Sequence, residues 1–202
     1  MLSTSQLYQH HFCYTNYMPK SKKNTKKSLI KKSPKFSPKP SANLAHIWPY
    51  FFGVFISLAA GAIGSFFTMP FIDSWYAGLN KPFFNPPNWI FGPVWTLLYI
   101  MMGLAFGRIM SLSVTKGATF TRRIALELFI AQLILNSLWS IVFFGLQAPA
   151  MALLVIMALW TVLLLTIRSF AAVSKYAAYL LWPYLAWVSF ATLLNAAIVW
   201  LN

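Results

Sequence analysis

Residues 75–99 read WYAGLNKPFFNPPNWIFGPVWTLLY, and they run directly into an apolar segment. The stretch holds four prolines and three of the nine tryptophans of the chain. Proline fixes the backbone and indole is bulky and flat, so this composition indicates a rigid, shaped loop and not a flexible connector. We expect a lid over an apolar pocket at a membrane surface. The residues assigned to the lid are Pro82, Pro86, Pro87 and Trp89.

The composition of the whole chain is that of a membrane protein. Of 202 residues, 59% are hydrophobic and 9% are charged, and the mean hydropathy is +0.64. The only carboxylates, Asp73 and Glu127, give poor support for paired acid/base catalysis. A single cysteine, Cys13, excludes an internal disulfide and a cysteine-based metal site. We treat the neighbouring His10 and His11 as incidental and expect no metal centre.

Five stretches are long and apolar enough to cross a bilayer, since a spanning helix needs about 20 apolar residues. They cover about residues 47–68, 90–110, 124–146, 149–168 and 177–201. Their short joints favour a compact up-and-down bundle. The sequence therefore predicts an all-α integral membrane protein whose residues 46–202 form a five-transmembrane-helix bundle. Pro183 either kinks the fifth helix or marks its true start.

The basic residues orient this bundle. Nine lysines precede the first stretch, four basic residues lie between the second and third, and two lie between the fourth and fifth. The opposite side receives only Lys81. The positive-inside rule then places the N-terminus in the cytoplasm and the lid on the other face.

Residues 1–45 form a separate region rich in lysine, serine and proline. We expect this basic tail to be disordered, and it lacks the apolar core of a secretory signal. The net charge of +14 lies almost entirely in the tail and beside the helices. Anionic lipid is therefore the expected partner, and nucleic acid is not. Met18 is an alternative start, so whether residues 1–17 are translated stays open.

Small residues recur at four-residue spacing in the first two stretches. They are Gly53, Ser57, Gly61 and Ser65 in the first, and Gly103 and Gly107 in the second. Such stripes let helices approach closely in lipid. We favour packing within the bundle, and a homodimer seam is the alternative.

Polar and aromatic side chains line one face of the third stretch. Gln132, Asn136 and Ser140 are spaced four apart, and polar groups at membrane depth face the bundle interior. They either hydrogen-bond neighbouring helices or, at Asn136, present an amide to a ligand. The sequence leaves both interpretations open.

Three tryptophans lie too deep for the interfacial belt: Trp95, Trp139 and Trp187. Trp95 has Tyr99 one turn away, and Trp187 has Ala191 one turn away. An interior lined by indole faces suits a flat, apolar, polycyclic ligand.

Three motifs extend this picture: WYxxLxKPxFxPPxWxFGPVWTxLY at 75–99, AQLxLNxxWSxxFFG at 131–145 and WPYLxWVxFATxLN at 182–195. Together they resemble the tryptophan-rich sensory protein / translocator protein family, also called the peripheral benzodiazepine receptor family. The resemblance covers residues 48–202. It implies a five-helix bundle, often a homodimer, that binds porphyrins, sterols and benzodiazepine-like drugs among helices 1, 2, 3 and 5. With Tyr99 added, the expected ligand-binding residues are Tyr76, Trp95, Tyr99, Asn136, Trp139, Trp187 and Ala191.

The expected function is a membrane receptor or sensor for tetrapyrroles such as protoporphyrin IX, with no cofactor required. One alternative is a light-dependent porphyrin-degrading enzyme, for which Trp95 and Trp187 would be the catalytic residues. The other is a tetrapyrrole or lipid transporter, although no internal repeat is visible. No histidine lies within a span, which favours metal-free porphyrin over axially ligated haem. We expect a bacterial cytoplasmic membrane, with the mitochondrial outer membrane as the alternative.

Overall fold

The computed structural model describes residues 46–113 and 118–202. These described residues form helices joined by short connections, and they contain no β-strand. The helices are α1 (Trp48–Phe71), α2 (Asn88–Ser111), α3 (Thr119–Ser140), α4 (Pro149–Val173), α5 (Lys175–Tyr179) and α6 (Trp182–Leu201). Two π-helical turns, Ile72–Tyr76 and Ile141–Gly145, continue α1 and α3. The predicted basic tail, residues 1–45, lies outside the described residues.

Five helical segments within the described residues are long and apolar enough to cross a membrane. They are Trp48–Tyr76, Asn88–Ser111, Thr119–Gly145, Pro149–Val173 and Lys175–Leu201. The predicted all-α, five-span membrane fold is confirmed.

The first helix is longer than predicted. It was expected to end near residue 68, but it continues through Pro70 and then widens into the π-helical turn. A proline inside a membrane helix removes one backbone hydrogen bond, and neighbouring groups and local widening of the helix can accommodate that loss. Trp75 and Tyr76 therefore belong to the end of a helix, and the loop itself covers only residues 77–87.

The observed ends of other helices also differ from the predicted ones. The third helix begins at Thr119 instead of 124, and the fourth continues to Val173 instead of 168. Arg122 and Arg168 consequently lie on helices and not in joints. Long basic side chains can reach water from the end of a spanning helix, so a helix need not stop where the hydrocarbon does. Pro183 is the second residue of α6, where its missing N–H costs no bond, so it marks a start and not a kink.

Glycines bring α1 and α2 into close contact. A Cβ atom added to Gly103 would lie 2.3 Å from the Cα atom of Val54, and one added to Gly107 would lie 2.5 Å from the Cα atom of Tyr50. These small residues therefore serve packing within the chain, which is the first of the two interpretations above. The homodimer stays a prediction.

The bundle has a solid half and a hollow half. In the solid half the rings of Phe106, Phe129 and Phe170 join α2, α3 and α4, with centroid separations of 5.0 and 6.0 Å. Both Phe129 and Phe170 are fully buried. The other half, next to the 77–87 loop, contains the candidate site.

Candidate functional site

A cavity of about 490 Å³ occupies the half of the bundle that adjoins the loop. Its walls come from α1, α2, α3, α6 and both π-helical turns, which are the four predicted spans 1, 2, 3 and 5. All seven residues predicted to bind a ligand line it: Tyr76, Trp95, Tyr99, Asn136, Trp139, Trp187 and Ala191. The structure thus brings together residues that lie up to 115 positions apart (76 to 191) in the sequence. Their role in binding stays a prediction.

The 77–87 loop lies beside the cavity, but none of its residues forms part of the cavity wall, so its role as a lid stays a prediction. It connects the end of α1 to α2 and contacts α6 on the way. There Phe84 packs against Phe190 with ring centroids 6.3 Å apart. Of the four residues assigned to the lid, Trp89 lines the cavity. The other three, Pro82, Pro86 and Pro87, lie in the loop without forming part of the cavity wall.

The two π-helical turns supply an aromatic end wall. Tyr76 lies in the first turn and Phe143 and Phe144 in the second, and all three are buried. The Tyr76 ring lies 5.6 Å from that of Phe144, and its hydroxyl donates to Oδ1 of Asn85 at 2.8 Å. π-helical turns occur frequently at functional sites, because the wider turn redirects side chains. Here they turn aromatic rings from two spans toward one cavity.

Asn136 joins three helices at the deep side of the cavity. The Tyr99 hydroxyl of α2 donates to its Oδ1 at 2.5 Å, and its Nδ2 donates to the Tyr184 hydroxyl of α6 at 2.9 Å. The exposed fraction is 2% for Asn136 and 0% for Tyr184. The amide therefore both hydrogen-bonds neighbouring helices and lines the cavity, so the two interpretations of Asn136 do not exclude each other.

The indole N–H groups of the cavity differ in their partners. Trp139 Nε1 donates to Oδ1 of Asn195 at 3.1 Å, and Asn195 Nδ2 donates to the carbonyl of Pro149 at 2.9 Å. Trp187 Nε1 is buried and has no hydrogen-bond partner among the described residues. A buried donor without a partner is costly. This atom is not exposed to the cavity, so Trp187 presents its ring and not its N–H to the cavity.

Aromatic rings form the flat walls. The ring of Trp95 stacks on that of Tyr99, with centroids 5.6 Å apart and planes inclined by 27°. Trp187 is held edge-to-face by Phe91, with centroids 5.9 Å apart. Stacked and edge-to-face pairs fix ring orientation, so the two indoles are held in place before a ligand arrives.

Some features of the site were missed from the sequence. Tyr184 lies in the WPYL motif, but nothing local shows that its hydroxyl reaches the third span. Gln132, expected on the same face as Asn136, is fully buried and does not line the cavity; neither amide atom has a partner in the described part. Among residues 46–113 and 118–202, no three His, Cys, Asp or Glu side chains come together as a group able to hold a metal ion.

Comparison with known proteins gives consistent matches. The model of the TspO/MBR family matches residues 53–201. The chain is 46% identical over 147 residues to the tryptophan-rich protein TspO of Chlorobaculum tepidum, covering 73% of this chain and 91% of the relative. It is 48% identical over 145 residues to the protein of that name from Archaeoglobus fulgidus, covering 72% and 91%. It is 38% identical over 140 residues to the human translocator protein, covering 67% and 82%.

Proposed function

This chain belongs to the TspO/MBR family, and we propose that it is a membrane receptor for a flat tetrapyrrole such as protoporphyrin IX, bound in the cavity beneath the 77–87 loop. One observation carries the proposal. The seven residues expected to bind the ligand line a single cavity of about 490 Å³, within the usual range of about 300–1,000 Å³ for ligand pockets.

The chemistry of the walls supports a large apolar ring system. Indole and phenyl faces dominate the cavity, and the polar side chains of Asn136 and Asn195 are already hydrogen-bonded to protein groups. Recognition then rests on stacking and apolar burial. His46 lies at the start of α1 and does not line the cavity, so we propose a porphyrin without an axial histidine.

A titration of purified protein in detergent with protoporphyrin IX tests the proposal. We expect saturable quenching of tryptophan fluorescence in the dark. Trp95→Ala should raise the dissociation constant about tenfold, because it removes a stacking face of the cavity.

Trp48→Ala is the matched control for that variant. It also removes one indole, but Trp48 is 70% exposed and does not line the cavity, so its dissociation constant should equal that of the parent. If the parent shows no saturable quenching, the tetrapyrrole assignment is wrong.

Light-dependent breakdown of the porphyrin is a second candidate function. The observation that favours it is the presence of two indoles, Trp95 and Trp187, in the walls of one cavity. Trp187→Phe keeps most of the ring area and loses one N–H donor. Binding in the dark should therefore stay close to that of the parent, because the lost N–H does not face the cavity and most of the stacking face remains.

Under illumination in air, the same variant distinguishes a receptor from an enzyme. If indole photochemistry operates, saturated Trp187→Phe should lose its porphyrin absorbance band more slowly than saturated parent protein, and Trp48→Phe should match the parent. Equal rates of loss in all three proteins would remove Trp187 from any photochemical role.

Location and partners form part of this proposal. We propose that the N-terminus is cytoplasmic in a bacterial membrane, on the basis of the fifteen basic residues assigned to one side. For the nine lysines of residues 1–45, the proposed partner is anionic lipid. The proposed partner within the membrane is a second copy of this chain. Its surface excludes Gly53 and Gly103, because those glycines are occupied by the contact between α1 and α2.

A further inference from the structure

The wall of the cavity is exposed on one side only. On α1 the residues Leu58, Ala62, Ser65 and Met69 line the cavity and are also exposed on the outside of the bundle. They are spaced four, three and four apart, so they form a single stripe of the helix. In contrast, no cavity-lining residue of α3 or α6 is exposed.

A matching stripe lies on α2. Trp89, Gly92 and Thr96 line the cavity and are exposed, Trp89 by 74%. Their spacing of three and four places them on one face of the helix. We call the region between this stripe and the α1 stripe the side opening.

The two helices separate toward the side opening. At Gly103 an added Cβ atom would meet the backbone of α1 at 2.3 Å, and at Gly61 it would meet the ring of Tyr99 at 2.3 Å. At Gly92 such an atom would have no heavy atom within 4 Å, apart from those of its chain neighbours and of the backbone of its own helix. From Gly103 toward Gly92, α1 and α2 therefore first touch through their backbones, then through a side chain, and finally leave open space.

The 77–87 loop beside the cavity is fastened to α6. Asn202 Oδ1 accepts from the backbone N–H of Asn80 at 3.0 Å, and Asn202 Nδ2 donates to the carbonyl of Asn80 at 3.0 Å. Asn80 Nδ2 also donates to the carbonyl of Leu201 at 3.3 Å. These bonds tie the middle of the loop to the C-terminal end of α6.

From these observations we propose that the ligand enters the cavity sideways from the lipid, through the side opening between α1 and α2, and not from water past the loop. The α1 stripe begins at Leu58, well inside the span Trp48–Tyr76, so the opening meets hydrocarbon. It would admit molecules that dissolve in the bilayer and lie flat enough to pass between two helices. The identity of the ligand rests on the proposed function, but the entry route is testable without it.

A thiol placed at the back of the cavity tests the route in liposomes. Cys13, the only cysteine in the sequence, is replaced by serine, and Ala191→Cys puts a thiol on α6 in the cavity wall. We expect this thiol to react with a long-chain alkyl maleimide, which partitions into the bilayer. Each rate is normalised to that of Phe83→Cys, a fully exposed position in the 77–87 loop that lies outside the spans and outside the cavity wall. The normalised rate with a sulfonated, water-soluble maleimide should be at least about tenfold lower.

Closing the side opening should slow the reaction selectively. Gly92→Trp fills the open space, so we expect the alkyl maleimide to react about tenfold more slowly at Ala191→Cys, with no change at Phe83→Cys. Ala62→Phe narrows the same opening from α1 and is used if Gly92→Trp does not fold. Asn202→Ala, which releases the loop, should leave the alkyl maleimide rate unchanged.

The opposite pattern would overturn the proposal. If neither Gly92→Trp nor Ala62→Phe slows the alkyl reagent, the side opening is not the entry route. If the sulfonated reagent reacts as fast as the alkyl reagent at Ala191→Cys, and Asn202→Ala increases the rate of the sulfonated reagent, the cavity opens to water past the loop. This result does not depend on porphyrin, so failure of the titration and failure of the entry route are read separately.

Discussion

Replacing Gly103 with valine should unfold the contact between α1 and α2 and cost the protein more than about 3 kcal/mol of unfolding free energy. A Cβ atom at this position would lie 2.3 Å from the Cα atom and 2.4 Å from the backbone nitrogen of Val54. The obstacle is backbone and not a flexible side chain, so no rotamer change can relieve it. Overpacking of a core costs about 1–3 kcal/mol where side chains can shift, and more where the backbone must move. Unfolding in detergent, followed by circular dichroism, measures the loss.

Gly92→Val is the matched control for this experiment. It makes the same change on the same helix, with the same cost in helix propensity. Beyond its chain neighbours and its own helix backbone, nothing lies within 4 Å of the added Cβ atom. We expect its unfolding midpoint to stay close to that of the parent. Equal midpoints for Gly103→Val and Gly92→Val would mean that the close contact of α1 and α2 does not hold the bundle together.

The number of spans and the residues that share a helix face could be predicted from the sequence, because both depend on local patterns of hydrophobicity and spacing. The five spans follow from the length of their apolar runs, which no tertiary contact is needed to define. Trp187 and Ala191 share a face because four residues make about one turn, and the same holds for Trp95 and Tyr99. The three motifs of the family resemblance then related these faces to one another, and all seven expected residues do line one cavity.

Properties that depend on distant parts of the chain could not be predicted. The bonds between Asn80 and Asn202 join residues 122 positions apart, and neither residue lies in a distinctive local pattern. The partnership of Asn136 with Tyr184 depends on how α3 and α6 rotate about their own axes. The sequence also could not decide whether the small residues serve packing within the bundle or a homodimer. That decision required the observed contact of Gly103 with α1.

The helix ends were predicted less well for a related reason. Hydropathy reports where the chain leaves hydrocarbon, whereas a helix ends where its backbone hydrogen bonds end. At Thr119 and Val173 the helix continues beyond the apolar run, because basic side chains near those ends can extend toward water. At Tyr76 it continues through a proline and a π-helical turn, which hydropathy does not detect.

The second large effect is expected at Asn136. Asn136→Leu keeps a similar side-chain volume but leaves the hydroxyls of Tyr99 and Tyr184 without the amide that joins them. Interhelical hydrogen bonds in membranes average about 0.6 kcal/mol, so two lost bonds alone would cost about 1 kcal/mol. Each buried hydroxyl left without a partner adds about 1–3 kcal/mol. We therefore expect a loss of at least about 3 kcal/mol in unfolding free energy, of which about 1 comes from the two bonds and about 1 or more from each hydroxyl. Unfolding in detergent measures it.

Removing the two hydroxyls separates these contributions. Tyr99→Phe with Tyr184→Phe, added to Asn136→Leu, eliminates the stranded groups and leaves an apolar contact of nearly the same shape. Replacing every partner of a buried network can be nearly neutral, whereas removing one partner is costly. The triple variant should therefore be more stable than Asn136→Leu alone, although it lacks the same two hydrogen bonds. If it is equally unstable, the amide contributes through packing, and the buried hydroxyls of α2 and α6 do not determine the cost.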